Sequence, residues 1–371
     1  MRQALLYKKL RPEADRPLDD KKIRCNTCLR RCIISSGKTG FCLTRLNKNN
    51  KLYTLIYGLI SATAIDPIEK KPLYHFYPGS PVFSISSWGC NFRCFHCLND
   101  WCSWGEPATS NLRKLALREV GPLGRSNLQD NLQEVSPKEI IKLAIASKSQ
   151  GIAFTYQEPS IWLEYTLDVA KLAKKEGLYT VYVTNGYATK EQLDLIGPYL
   201  DAQNVDFKGW SKKSLTKFGA GTKYKEMAEN IQYALQKYKV HTELTTLIVP
   251  TVNDNFQEMD KMTKWIVKNL GPKIPWHISR FNPAGKRTDL LPTPIKTLKK
   301  IAQIGRKNGL AFVYVWAPGH DLPGGIYYES NTYCPKCKSL VIQRGAWNPK
   351  ILAVDKKGRC SKCGEDLNII L

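Results

Sequence analysis

Long apolar runs, acidic side chains and an apolar leader are what this 371-residue chain is short of. No stretch approaches the about 18 consecutive apolar residues of a spanning helix, so no membrane partner is expected. The opening MRQALLYKKLRP lacks the apolar centre of a secretory leader. Internal repeats are also missing. These absences point to a soluble, cytoplasmic protein. Asp and Glu number 32 against 56 Lys and Arg, giving a net charge of +24. The excess is densest at the ends: residues 1–50 hold 13 basic and 4 acidic side chains (net +9), and residues 331–371 hold 8 and 3 (net +5). Such a field suits a polyanion, RNA above all. It equally suits a lysine-rich proteome of the kind thermophiles have.

What is present is a globular composition, 43% hydrophobic, long enough for one large domain with small satellites. The 12 cysteines fall into three groups. A disulfide scaffold would be shorter and secreted, so clustering at gaps of two and three residues argues for metal. CPKC (334–337) and CSKC (360–363) form two knuckles, and Cys334, Cys337, Cys360 and Cys363 suit one tetrahedral zinc in a structural ribbon. CNTCLRRCIISSGKTGFC supplies Cys25, Cys28, Cys32 and Cys42, a closed four-thiol site for zinc or an iron–sulfur cluster. GCNFRCFHCLND supplies Cys90, Cys94 and Cys97, with Cys102 after a gap. Three thiols at this spacing leave a site open.

Strand-like and helix-like segments alternate from about residue 81 to 320. VFSISS (82–87), IAFTY (152–156), YTVYVT (179–184), DAQNVDF (201–207), TELTTLIV (242–249), WHISRF (276–281) and AFVYVW (311–316) read as strands. Helices are expected over 136–150, 159–175, from 189, and near 224–238, 256–270 and 294–308. Ser136 and Thr189 serve as N-caps and Gly177 as a stop. Seven successive βα units imply an α/β fold with a parallel sheet: a (β/α) barrel, partial or complete, or else a doubly wound sheet. Polar signals follow each of the first four strands, where a barrel carries its chemistry. The expected organisation is an N-terminal cysteine-rich module (1–80), a barrel (81–325) with an insertion at 103–135, and a C-terminal ribbon (326–371).

The C-x₃-C-x₂-C motif after the first strand resembles the signature of the radical SAM superfamily. TYQEP (155–159) falls where that superfamily has its GGE element; VTNGY (183–187) and DFKG (206–209) resemble the TNG and DLK of glycyl-radical activating enzymes. The order GCNFRCFHC, TYQEP, TNGY, DFKG, LIVPTVND, WHISRFNP, VYVWAPG, NTYCPKC is similar to the AmmeMemoRadiSam radical SAM enzymes, relatives of pyruvate formate-lyase activating enzymes. The resemblance implies that Cys90, Cys94 and Cys97 hold a 4Fe-4S cluster whose fourth iron takes S-adenosylmethionine (SAM). It implies Glu158 on the SAM ammonium, Thr184, Asn185 and Asp206 near the ribose, and Lys208 on the carboxylate, with Arg280 a further member of the pocket. It also implies reductive cleavage of SAM to a 5′-deoxyadenosyl radical, an electron donor such as ferredoxin, and association with AMMECR1-like and Memo-like proteins. The substrate is expected to be macromolecular or anionic, RNA or protein. Two alternatives are an activase acting on a protein glycine and a non-catalytic iron–sulfur and zinc interaction protein. Glu158 could instead cap the helix at Pro159, and Lys208 could be a solvated loop charge. His96, Leu98, Tyr156, Gln157 and Val183 depart from the usual motif residues.

Overall fold

A computed structural model describes residues 1–10, 21–104, 134–283, 289–319, 326–345 and 347–371. Most of the expected insertion, 105–133, lies outside the described residues. The core is a nine-stranded sheet whose order follows the chain. Its seven parallel strands are Pro81–Ser86, Gly151–Phe154, Tyr179–Thr184, Ala202–Asp206, His241–Ile248, Trp276–Arg280 and Val313–Pro318. Each pairs in parallel with the next. An order that never reverses has no switch point, which sets it apart from a doubly wound sheet. Antiparallel strands Ala62–Pro67 and Ile326–Glu329 close the two edges, and these outer strands do not pair with each other. The winding is that of an open, partial barrel.

Local chemistry sets the crossovers. Ser136, Thr189, Ser211 and Asn255 each accept a backbone N–H three residues on, capping helices Pro137–Ala146, Lys190–Ile196, Lys212–Phe218 and Phe256–Asn269. Helices Tyr224–Tyr238 and Ile295–Lys307 complete the outer layer. The segment expected as one helix from 159 begins as a 3₁₀ turn, Pro159–Trp162, and becomes α-helical over Leu163–Lys175. The second parallel strand stops at Phe154, two residues early, because Gln157 N–H turns back to Thr155 O and Tyr156 takes φ +67°.

The two ends of the sheet differ. At the N-terminal ends of the parallel strands, residues 68–80 fold inward: Ile68, Leu73 and Phe76 pack on Val82, Ala153, Tyr179, Val181 and Ala202. Glu243 is fully buried there and accepts the N–H groups of Tyr74 and His75 together with the rings of His241 and His277. The C-terminal antiparallel sheet, Thr332–Tyr333, Leu340–Gly345 and Asn348–Ile351, covers this end. Buried Arg344 lies over the Tyr74 ring at 4.5 Å and donates to Tyr74 O, and His75 Nδ1 lies 2.9 Å from Leu367 O. The opposite end, at the strand C-termini, carries the cysteine loop.

Candidate functional site

The loop after the first parallel strand turns at Gly89, φ +84°, where a Cβ would come within 2.7 Å of Cys42 O. From there Cys90, Cys94 and Cys97 wrap against the end of helix Lys212–Phe218. Arg93 N–H donates to Gly219 O (2.9 Å) and Phe95 N–H to Phe218 O (3.3 Å). Gly219, φ +73°, brings its Cα so near that a Cβ would sit 2.2 Å from Arg93 O. Burial raises all three thiols above the ordinary cysteine range, Cys94 to about 11, where Lys208 opposes the shift. Such thiols release their protons to a metal on ligation. Cys102 is turned away: its thiol reaches Asn99 O (3.3 Å) and packs in the core with Trp88 and Ile85.

Glu158 ends the second βα turn. Its Oε1 accepts Ser160 N–H (3.0 Å) and Thr184 Oγ1–H (2.8 Å), and its Oε2 accepts Asn185 N–H (2.7 Å). Burial pushes its carboxyl up, against those hydrogen bonds. Capping the turn at Pro159 and facing the cysteine loop are therefore both true of Glu158. Asn185 completes the link: its Nδ2 donates to Asn91 Oδ1 (2.7 Å) and stands 3.9 Å from Cys90 Sγ. Cys90, Glu158, Thr184 and Asn185 thus form one connected group.

Lys208 is buried, not a solvated loop charge, and its ammonium lies 2.9 Å from Asp206. Burial works against its charge, but Asp206 and Cys94 outweigh it and hold the ammonium above its ordinary range. Arg280 lies at the same end of the sheet; its described hydrogen bonds run to Thr293 O (2.9 Å) and Pro318 O (3.3 Å), not to the Glu158 group. His96 is 7% exposed and packs edge-on against Phe218 at 4.9 Å. Burial, with Lys208 adding, lowers its pKa to about 3, so the ring is neutral and serves as an aromatic.

Sequence reasoning overlooked four contributors. Asn91 joins Asn185 to the cysteine loop, and Phe218 and Gly219 seat that loop. Asp66 fixes Tyr156, accepting its hydroxyl (3.2 Å) along with Lys71 (2.7 Å) and Ser84 (2.9 Å). The small residues of FGAGT (218–222) were the one signal in the sequence for a close approach.

Elsewhere, the ribbon's four sulfurs converge: Cys334 to Cys363 is 3.5 Å and Cys337 to Cys360 is 3.7 Å. About 2.3 Å zinc–sulfur bonds in a tetrahedron demand this spacing, so the donor set fits zinc. Cys25, Cys28, Cys32 and Cys42 line a separate small cavity. No helix among the described residues is long and apolar enough to cross a membrane.

The chain has recognisable relatives. A model of the radical SAM superfamily matches residues 84–266, a span running from the first parallel strand past Lys208. The uncharacterized protein MJ0808 of Methanocaldococcus jannaschii is 38% identical over the whole of both chains. A pyruvate formate-lyase-activating enzyme of Clostridium pasteurianum is 25% identical, covering 52% of this chain and 74% of its own. Among solved structures, a radical SAM methyltransferase from Sphaerobacter thermophilus superposes with a TM-score of 0.45 at 13% identity, covering 69% of this chain and 72% of that one.

Proposed function

Because the chain belongs to the radical SAM superfamily, we propose that it is an enzyme of the AmmeMemoRadiSam type that cleaves SAM reductively and removes a hydrogen atom from a macromolecular or anionic substrate. One observation carries this reading: a three-thiol loop whose Cys90 is tied through Asn185 to the buried carboxylate of Glu158. The donor set suits an open 4Fe-4S cluster. Three soft thiols come from one loop, and the fourth nearby thiol, Cys102, is committed to the core. When bound, cluster and SAM supply one-electron chemistry that no side chain can.

The residues present divide the remaining work. Cys90, Cys94 and Cys97 hold the metal. Glu158 accepts three hydrogen bonds from the chain, and a carboxylate has about four acceptor sites, which leaves room for a ligand ammonium. Lys208, its charge secured by Asp206, suits a ligand carboxylate. His96 and Phe218 wall the loop with aromatic surface and exclude water.

Net charge supports an anionic or macromolecular substrate, with +9 on residues 1–50 and +5 on residues 331–371. A second reading, activation of a protein glycine, is favoured by the names of two relatives. These are the Clostridium enzyme and a putative glycyl-radical enzyme activating enzyme of M. jannaschii, 24% identical over 50% of this chain. Mass spectrometry of total RNA and protein from a deletion strain, complemented with wild type or Cys94→Ala, tests both. A modification restored by wild type alone is the expected result, and its chemistry names the substrate. Identical profiles in both strains would refute the reading.

A further inference from the structure

The N-terminal cysteines build a different kind of site from the ribbon's. Among the described residues, only the ribbon's cysteines bring three or more metal-ligating atoms within 4.8 Å of one another. No three sulfurs of Cys25, Cys28, Cys32 and Cys42 all lie within 4.8 Å of one another, nor do those of Cys90, Cys94 and Cys97, whereas bonds of about 2.3 Å to one zinc would draw them closer. The four N-terminal cysteines nonetheless face one cavity, whose wall includes Arg45 and Asn91. Separated sulfurs around a common cavity suit a cubane, in which each thiolate binds a different iron.

We propose that Cys25, Cys28, Cys32 and Cys42 ligate a second iron–sulfur cluster, and that it relays single electrons to the site of Cys90, Cys94 and Cys97. The relay rests on the reading of that site given above; the ligation does not.

Two buried N–H donors on the cavity wall have no other partner. Arg45 is 1% exposed; its Nη1 donates to Glu164 (2.7 Å) and its Nη2 to Ile161 O (2.8 Å), while Nε is unpaired. Asn91 is fully buried, and its Nδ2 is unpaired as well. A buried cation and free N–H groups beside four sulfurs offset thiolate charge and tune a cluster's potential.

Position argues for the relay. Asn91 lines this cavity and directly follows Cys90, and consecutive Cα atoms are only about 3.8 Å apart. Gly89, just before, runs so close to Cys42 that a Cβ there would lie 2.7 Å from Cys42 O. Arg93 bridges the two segments, its Nη1 donating to Cys90 O (2.8 Å) and its Nη2 to Phe41 O (3.0 Å), beside Cys42. On the outer side Arg30 and Arg93 stack on Phe41, at 3.5 and 4.8 Å, and Phe41 is 40% exposed. A basic rim around an exposed aromatic suits an acidic, low-potential one-electron carrier protein. A cluster held there would take one electron from the reduced carrier and pass it to the iron held by Cys90, Cys94 and Cys97, which is the group finally reduced. No bond forms or breaks.

The test uses the full chain reconstituted anaerobically. Wild type should hold about eight irons and one zinc, and C90A/C94A/C97A about four irons with an electron paramagnetic resonance signal that SAM does not perturb. C28A/C32A should keep about four irons and the SAM-responsive signal. Reduced flavodoxin should generate that signal about tenfold or more slowly in C28A/C32A than in wild type, while dithionite generates it in both. Zinc without iron in C90A/C94A/C97A overturns the second cluster, and leaves the proposed function standing because the SAM-responsive signal is scored separately in wild type. Equal rates with flavodoxin overturn the relay. If C28A/C32A misfolds, C90A/C94A/C97A still decides the ligation, since its N-terminal cysteines are untouched.

Discussion

Tyr156 holds φ +67°, a conformation natural to glycine and strained for a ring-bearing residue. Its hydroxyl on Asp66 and its carbonyl, which accepts Asn99 Nδ2–H, hold it there. Nothing in TYQEP by itself discloses this, because Asp66 is 90 residues away in sequence. Glu158 accepts three hydrogen bonds from the chain, and under the proposed function it also meets the SAM ammonium. Glu158→Gln keeps an oxygen for Ser160 and Thr184 but loses the negative charge. SAM affinity should fall about tenfold or more with iron content unchanged, as equilibrium dialysis would show. Gly219 sets a sharper limit. Gly219→Ala places a methyl against Arg93 O at a positive φ, and should cost about 1–3 kcal/mol in thermal unfolding while lowering iron incorporation.

At the scale of elements, the parallel strands and their caps were legible because period, capping residues and turn residues all lie within a few positions of each other. The seven strands, the cap at Ser136 and the cap at Thr189 came through with shifts of one or two residues. The inward fold of residues 68–80 was not legible. Its polar partners, Glu243, Tyr314 and Leu367, come from strands and a ribbon far along the chain. This buried group gives the protein an acid-sensitive joint. Burial lowers the His75 pKa to about 3, well below the 6.5 of an exposed ring. Between those values the unfolded chain binds the extra proton, so stability falls as pH drops from about 6.5 toward 3, by up to about 1.4 kcal/mol per pH unit. Thermal melts across that range should show the slope in wild type and a shallower one in His75→Gln.

Across the whole molecule, chemistry and scaffolding occupy opposite ends of the sheet. The cysteine loop, Glu158, Asn185 and Lys208 gather at the strand C-termini, and the ribbon covers the other end through Arg344 and Leu367. The cysteine spacings announced the ribbon's four-sulfur group from the sequence, since ligands on two short knuckles must come near one another. The distance between sulfurs, short in the ribbon, is something that spacing does not encode. Cys337→Ser should abolish metal binding at the ribbon's four-cysteine site and cost several kcal/mol of stability, yet leave SAM binding close to wild type below the melting temperature. The proposed SAM cleavage depends on an open three-thiol site at Cys90, Cys94 and Cys97. Incubating the anaerobically reconstituted protein with dithionite and SAM, and quantifying 5′-deoxyadenosine, tests it most directly. Wild type should form 5′-deoxyadenosine and Cys94→Ala should form none; a wild-type protein with an intact cluster and no 5′-deoxyadenosine would contradict the account.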